Sequence, residues 1–151
     1  MKWTPNRSVF LSKICVLLFV AAYAVIVLAC PVVVKEYEAL RTTQLSELHE
    51  RFIMLTIYLC AAPVGVILWK LWRLLGNIAR EQIFVKENIG CLRLISWMCF
   101  AVAVITFVSA WYYVMWMVIS GCMAFMGLLI RVIKNVFERA KEIKEENDFT
   151  I

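Results

Sequence analysis

Residues 94–130 read LISWMCFAVAVITFVSAWYYVMWMVISGCMAFMGLLI and contain no charged side chain. A helix needs roughly 20 residues to cross a hydrocarbon core of about 30 Å. These 37 residues are too many for one membrane helix, but they suffice for two that are joined by a tight turn. Aromatic residues cluster at 111–116, as they do at a membrane interface, so we place the turn there. The two predicted spans are residues 92–111 and 114–133. Each includes one arginine, Arg93 or Arg131, whose long side chain can reach the headgroups.

Two further apolar stretches complete a protein with four spans. Residues 14–34 and 52–69 carry no charge, and they predict spans at residues 12–34 and 52–75. The chain of 151 residues is 64% apolar and 18% charged, whereas a soluble domain is about half apolar and about a quarter charged. The predicted fold class is therefore all-α, an integral membrane four-helix transmembrane bundle in one domain. No soluble part is large enough to hold an active site.

Basic residues are distributed unevenly over the segments that connect these spans. Of the 16 Lys and Arg residues, 13 fall in the N-terminal segment, the second connection and the tail. The positive-inside rule therefore predicts that both termini lie in the cytoplasm. The net charge of +5 lies beside the apolar stretches, which favours an anionic membrane surface over nucleic acid as its counterpart.

The residue types that carry most enzyme and metal chemistry are not arranged for it. The six cysteines form no C-x-x-C or Cys/His pair, and we expect them to be buried apolar residues. His49 has no second histidine at position 53, so a zinc site of the H-E-x-x-H type is excluded. The string VLAC at 27–30 approaches a lipoprotein cleavage site, but Pro31 follows it directly and we expect the segment to be retained as an anchor. We predict no catalytic, cofactor or metal site and no enzyme activity.

The span cores contain features of packing rather than of ion coupling. They contain no charged group, which argues against proton-coupled transport. Pro31 and Pro63 are expected to kink or end their helices. Small residues on the second and fourth spans allow another backbone to approach closely. These small residues are Ala61, Ala62, Gly65, Ser120, Ala124 and Gly127.

The tail continues the fourth span as a predicted amphipathic helix over residues 131–147. Its apolar positions recur at intervals of three and four. These positions are Ile133, Val136, Phe137, Ala140 and Ile143. Because the third and fourth spans are antiparallel neighbours, their ends should lie about 8–10 Å apart. Asn88 and Arg93 are therefore expected near the root of the tail helix, with Arg93 forking onto a carboxylate such as Glu138.

Two segments carry a family resemblance. FVKENIGCLRLI (84–95) and VFERAKEIKEENDFTI (136–151) resemble a family of bacterial four-span membrane proteins that is catalogued only as a domain of unknown function. In that family a Phe–Asn–Leu-Arg pattern precedes the third span, and the chain stops after a Glu-Asn-Asp/Glu-Leu-Thr-Ile/Val tail. The first pattern is matched by Phe84, Asn88, Leu92 and Arg93, and the second by Glu146, Asn147, Asp148, Thr150 and Ile151. Phe149 replaces the usual leucine.

The resemblance implies a bacterial cytoplasmic membrane protein with a role in regulation, because family members are often encoded beside a small Cro-like helix-turn-helix regulator. It offers no catalytic residue. We expect a non-enzymatic regulatory or accessory protein whose cytoplasmic loop and tail bind such a regulator, with membrane lipids as further partners and no direct contact with nucleic acid. Homo-oligomerisation is compatible with this interpretation. The partner-binding or network residues are Phe84, Asn88, Arg93, Glu138, Glu146, Asn147, Asp148, Phe149 and Ile151.

Two other interpretations fit the same sequence. The protein could be a small transporter, channel or immunity-type protein that holds a lipophilic molecule or peptide in an apolar cavity between helices. Alternatively, the tail helix could simply lie on the lipid surface. Against the second, Glu145, Glu146 and Asp148 give the tail an acidic tip, which suits a basic partner better than an anionic lipid surface. A solvated, frayed helix end fits the acidic tip equally well.

Overall fold

A computed structural model describes residues 5–39, 47–80 and 85–148 of the chain. They form four helices, which are α1 (Pro5–Ala39), α2 (Glu47–Ala79), α3 (Lys86–Ser109) and α4 (Met115–Asp148). Each contains a stretch that is long and apolar enough to cross a membrane. Helices are the natural choice there, because hydrocarbon offers no partner to a free backbone N–H or C=O group. The predicted all-α fold with four spans is confirmed, and the chain is a multi-pass membrane protein.

The helices extend past the predicted spans into segments that the sequence analysis assigned to connections. The predicted second connection, residues 76–93, is mostly helical, since α2 continues to Ala79 and α3 already begins at Lys86. The 34 residues of α4 make a helix of about 51 Å, which is longer than a hydrocarbon core of about 30 Å. The last part of α4 therefore projects beyond the membrane as a continuation of the fourth span.

Each helix packs against the next one along the chain. Helix α1 contacts α2, α2 contacts α3, and α3 contacts α4, whereas no Cα atom in the described part of α1 comes within 8 Å of one in α4. Helix α3 lies at the centre, since 44% of its most apolar stretch is buried, against 11%, 6% and 11% in α1, α2 and α4. The bundle is thus organised around α3 and is open between its first and last helices.

Neither membrane proline ends its helix. Pro31 lies inside α1 and Pro63 lies inside α2, and both helices continue for more than a turn beyond them. Of the two expected effects, a kink or an end of the helix, the end is therefore excluded at both positions. A proline removes only one backbone hydrogen bond, and inside a membrane a helix keeps its remaining bonds because the alternative partners are absent.

Four of the six small residues named above, Ala61, Gly65, Ser120 and Gly127, contact a neighbouring helix, whereas Ala62 is exposed. The Tyr23 hydroxyl donates to the carbonyl oxygen of Ala61 at 2.9 Å, and a side chain at Gly65 would place its Cβ 3.3 Å from that same hydroxyl. On α4, the Ser120 hydroxyl donates to the carbonyl oxygen of Ala103 in α3 at 2.8 Å. These contacts hold α1 on α2 and α3 on α4 at short range.

The tight turn between the last two helices is also confirmed. It consists of residues 110–114, between the end of α3 and the start of α4. The Ala110 and Trp111 amides donate back to carbonyl oxygens of the last turn of α3, and the Trp111 side chain is 96% exposed. Such an exposed indole is typical of a membrane interface. We call this side of the bundle the aromatic end, and the side where α2 ends and α3 begins the basic end.

Candidate functional site at the basic end

Three helices meet at the basic end around a small apolar core. Leu74 of α2 and Cys91 and Leu92 of α3 are buried there. Partly buried residues of α2 and α4 pack against them, namely Leu71, Ile78, Ile130 and Phe137. Because Phe137 belongs to the extension of α4, that extension is anchored to the bundle at its root. Ile78 of α2 and Phe137 of α4 pack on the same core.

A pair of asparagines crosses from α2 to α3 beside this core. The Asn77 side-chain amide donates to the side-chain oxygen of Asn88 at 2.9 Å. Asn88 is 0% exposed, and its backbone amide donates to the carbonyl oxygen of Val85 at 3.1 Å. Asn88 therefore belongs to an internal network rather than to an exposed surface. Asn77 was not among the predicted site residues, because the predicted second span ends at residue 75, whereas α2 continues as a helix to Ala79.

Arg93 approaches Glu138 as predicted, but its guanidinium group does not form the predicted two-pronged hydrogen bond with the carboxylate. The Arg93 Nη2 and Glu138 Oε1 atoms are 3.7 Å apart, which is longer than a hydrogen bond. The other carboxylate oxygen, Oε2, lies 2.6 Å from Lys134 Nζ. Glu138 is thus shared between two cations, and its stronger contact is with the lysine one turn earlier on its own helix. Such partly exposed pairs contribute little stability, roughly 0–1 kcal/mol.

The remaining predicted site residues lie further along α4 or outside the described residues. Glu146 and Asn147 are exposed in the last turns of α4, and Asp148 is its last residue. Glu146 is eight residues past Glu138, which corresponds to about 12 Å along the helix axis. Phe84, Phe149 and Ile151 lie outside the described residues. The structure therefore brings Asn88, Arg93 and Glu138 to one end of the bundle and leaves the tip of α4 apart from them.

The amphipathic face of the α4 extension is divided. Phe137 turns inwards to the apolar core, whereas the side chains of Val132, Val136 and Ile143 are 60%, 61% and 59% exposed. With Asn135, Arg139 and Ala140 these three residues line a shallow groove of about 450 Å³. We call Val132, Val136 and Ile143 the apolar strip. No other described part of the chain covers it.

At the aromatic end, the structure contains a hydroxyl cluster that the sequence analysis missed. Thr56 hydrogen-bonds to Ser109 at 2.8 Å and also to Tyr112, and the Tyr112 hydroxyl donates to the carbonyl oxygen of Phe52 at 3.1 Å. These bonds tie α2 to the end of α3. Half-buried His49 lines a neighbouring cavity, and its Nδ1 atom has no hydrogen-bond partner among the described residues. The sequence feature that could have indicated this cluster is a residue with a hydroxyl group inside an apolar span, such as Thr56.

An apolar cavity of about 320 Å³ opens between α1 and α2. It is lined by Tyr23, Ile26, Cys60, Ala61 and Val64, among other apolar residues, and Trp116 of α4 reaches it. The indole Nε1 of Trp116 is enclosed and has no hydrogen-bond partner within the described residues. The Tyr23 hydroxyl, which also lines the cavity, donates to the carbonyl oxygen of Ala61.

Free thiols and metal ligands do not gather anywhere in the described residues. The six cysteines are free, and three of them (Cys30, Cys91, Cys99) are buried. Within residues 5–39, 47–80 and 85–148, no group of three or more His, Cys, Asp or Glu side chains could hold a metal ion. The arrangement offers packing, ion pairs and hydrogen bonds.

Comparison with known proteins gives one match. No curated protein and no solved structure matches this chain. The model of a family described as "Protein of unknown function (DUF2975)" matches residues 15–151. This match includes all of the four-helix architecture except the first turns of α1, and it contains both segments that carried the resemblance. The chain belongs to the DUF2975 family.

Proposed function

We propose that this protein is a non-enzymatic regulatory or accessory protein of the bacterial plasma membrane. In this proposal both termini and the basic end face the cytoplasm, and the extension of α4 docks a helix-turn-helix regulator. The observation that carries the proposal is the apolar strip, which the rest of the described chain leaves open. The resemblance found in the sequence supports the choice of regulator.

The strip extends too far from the membrane for lipid alone to cover it. Ile143 is thirteen residues past Ile130, the last residue of the uncharged stretch, which is about 20 Å along a helix axis. The headgroup layer adds only about 5–8 Å on each side of the hydrocarbon core. An α4 helix that continues away from the bilayer therefore presents Ile143 to water, where burial of such a side chain against a partner gains about 1.5–3 kcal/mol.

The charge around the outer part of the strip favours a basic partner. Residues 142–148 contain four acidic side chains and one basic side chain. Lys141 neutralises one of the acids, since its Nζ lies 2.9 Å from Glu145 Oε1. Complementary charge steers association and suppresses wrong partners, so a DNA-binding protein with a basic surface fits this tip.

The cytoplasmic orientation predicts the behaviour of reporter fusions. A reporter that is active only in the cytoplasm and is fused after Ile151 should be active, and a reporter that is active only outside should be silent. The physical reason is the concentration of Lys and Arg at the basic end, which resists translocation. The fusion is a better probe than thiol labelling, because Cys91 is only 3% exposed. The reverse pattern of reporter activity would place the α4 extension outside the cell and end the proposal.

Partner binding should depend on the apolar strip. We expect the double variant Val136→Ser/Ile143→Ser to lose a helix-turn-helix protein that the wild type retains on purification in mild detergent. The matched control is Glu142→Ser/Lys144→Ser, which changes two exposed residues of the same extension outside the strip. The control should retain the protein. A third variant without residues 145–151 separates the contribution of the acidic tip from that of the strip.

Binding should then be measured with the purified regulator. Loss of two apolar anchors should weaken the complex by at least tenfold, because burying each gains about 1.5–3 kcal/mol and 1.4 kcal/mol is a factor of ten. Both variants should retain the thermal unfolding transition of the wild type, since the changed side chains are exposed. Equal binding by the two double variants, or purification of no helix-turn-helix protein, would contradict the proposal.

One observation favours a second function. The cavity between α1 and α2 is apolar and contains an indole N–H without a partner. A lipophilic molecule with one hydrogen-bond acceptor fits such a site after a small rotation of Trp116. A protein of this kind would handle its ligand inside the membrane and would not need the apolar strip. It would therefore behave identically with and without the Val136→Ser/Ile143→Ser change.

A further inference from the structure

A pocket of about 240 Å³ lies between α3 and α4 at the basic end. Its lining comes from two helices that approach each other closely, with Arg93, Ser96 and Trp97 on α3 and Arg131 and Lys134 on α4. It differs from the apolar cavities of the molecule in its charge, because three of these five side chains are cationic. The function proposed above does not use this pocket.

The pocket has an excess of positive charge that the protein does not neutralise. Arg93 and Lys134 share a single carboxylate, Glu138, at 3.7 Å and 2.6 Å. Among the described residues, no carboxylate pairs with Arg131. Its guanidinium carbon lies 5.4 Å from the centre of the Trp97 ring instead. The pocket with its carboxylate therefore has a net charge of +2.

The hydroxyl group that lines the pocket is already used as a donor inside the protein. The Ser96 hydroxyl donates to the carbonyl oxygen of Gly127 at 2.9 Å. Recognition therefore depends on the cations, and the ligand must be an anion. Guanidinium groups suit phosphate in particular, because their planar N–H fork matches two of its oxygens.

The position of the pocket decides which phosphate can reach it. Arg93 and Arg131 flank the uncharged residues 94–130 on either side, so both lie where the hydrocarbon core ends. Trp97, which is 55% exposed, is a side chain typical of the same depth. Phospholipid phosphates lie in this layer. Leu128 and Phe125, three and six residues before Arg131 in α4, are exposed at greater depth in the membrane, and they offer apolar surface to acyl chains below the headgroup.

We propose that this pocket binds the headgroup phosphate of an anionic phospholipid, of the phosphatidylglycerol or cardiolipin class. Arg93 and Arg131 hold the phosphate oxygens from opposite sides, and Lys134 adds positive charge from within α4. The acyl chains lie on the lipid-facing surfaces of α3 and α4. Basic pockets between membrane helices bind anionic headgroups in this way.

The proposal predicts selective binding of phosphatidylglycerol over phosphatidylcholine, measured by native mass spectrometry of the protein released from nanodiscs of mixed composition. Arg131→Gln should reduce the preference about fivefold, which corresponds to about 1 kcal/mol for one cation at the membrane surface. Arg93→Gln/Arg131→Gln should reduce it about 25-fold by the same arithmetic. Lys134 is left in place, because it also holds Glu138.

Lys70→Gln is the matched control. Lys70 is also an interfacial cation beside a tryptophan, with its Nζ 4.8 Å from the centre of the Trp69 ring, but it does not line the pocket. The control should change the preference less than twofold. Arg131→Lys, which keeps the charge, should lose less than Arg131→Gln. Unfolding temperatures measured in lipid-free detergent should be alike for all four variants, which separates lipid binding from folding.

Inorganic phosphate distinguishes a lipid from a free anion. Excess phosphate in the buffer should not displace phosphatidylglycerol, because free phosphate lacks acyl chains. Displacement would show that the pocket is a site for soluble phosphate and would overturn the proposal. Equal retention of the two lipids by the wild type, or an equal loss of preference in Lys70→Gln and Arg131→Gln, would overturn it as well.

Discussion

Replacing Gly127 with leucine should lower the free energy of unfolding by about 3 kcal/mol, the upper end for an overpacked core. A Cβ atom at Gly127 would lie 3.3 Å from the Cε1, Cε2 and Cζ atoms of Phe100. The Phe100 ring cannot easily turn away, because it also packs edge-on against the Trp97 ring, with 6.4 Å between the two ring centroids. The backbone carbonyl oxygen of Gly127 also accepts the hydrogen bond from the Ser96 hydroxyl. A leucine there would push α3 and α4 apart and break that bond.

Gly121 supplies the control for this prediction. It lies on the same helix, but nothing is within 4 Å of the Cβ that a substitution would add. Gly121→Leu should therefore change stability by less than about 0.5 kcal/mol, as at other open surface positions. Unfolding in detergent, followed by circular dichroism, measures both variants. Phe100→Ala should restore part of the stability of Gly127→Leu, and equal effects at Gly121 and Gly127 would disprove the close contact.

The sequence predicts the helices well because hydrocarbon leaves the chain little choice. An uncharged stretch of 37 residues has to form two spans and a turn, and the turn lies where the aromatic cluster placed it. The arrangement of the helices, by contrast, could not be predicted from the sequence. Nothing in the apolar pattern shows that α3 is central or that α1 and α4 remain apart, because all four spans are apolar around most of their circumference.

The candidate site was predictable where it depended on chain geometry. A short turn makes α3 and α4 antiparallel, so Arg93 and Glu138 had to lie at the same end. Asn77 was not predictable in the same way, since its role depends on α2 continuing as a helix to Ala79. The pocket between α3 and α4 requires Trp97 of α3 and Arg131 of α4 to lie against each other. The rotation of α3 against α4 is set by side-chain packing that the sequence pattern does not specify.

Side-chain packing also explains why the apolar face of the α4 extension is buried in one part and exposed in another. Periodicity places Val136, Phe137 and Ile143 on one broad face, but packing against the core formed by α2 and α3 decides which part of that face is buried. Phe137 packs against Leu92 and its neighbours, whereas Val136 and Ile143 remain outside. A sequence pattern identifies an apolar face, and the neighbouring helix determines how much of that face is left for a partner.

Asn88→Ala should destabilise the basic end by about 1–3 kcal/mol, the cost of leaving a buried polar group unsatisfied. Asn88 is fully enclosed, and its side-chain oxygen accepts the hydrogen bond from Asn77 at 2.9 Å. The alanine removes that acceptor and leaves a cavity between α2 and α3. Because the pair links two helices, we expect α2 and α3 to separate more easily at this end, with faster hydrogen exchange at the first amides of α3.

The control for this change is Asn135→Ala, which removes the same side chain from an exposed position on α4. It should alter stability by less than about 0.5 kcal/mol. The double variant Asn77→Ala/Asn88→Ala should lose less than the sum of the single losses, since it removes donor and acceptor together. The difference is the coupling across the helix pair, about 0.6 kcal/mol on average and up to about 1.7 kcal/mol for hydrogen bonds between membrane helices. Strict additivity would mean that the two asparagines act independently, and the hydrogen bond between them would then contribute nothing to the packing of α2 on α3.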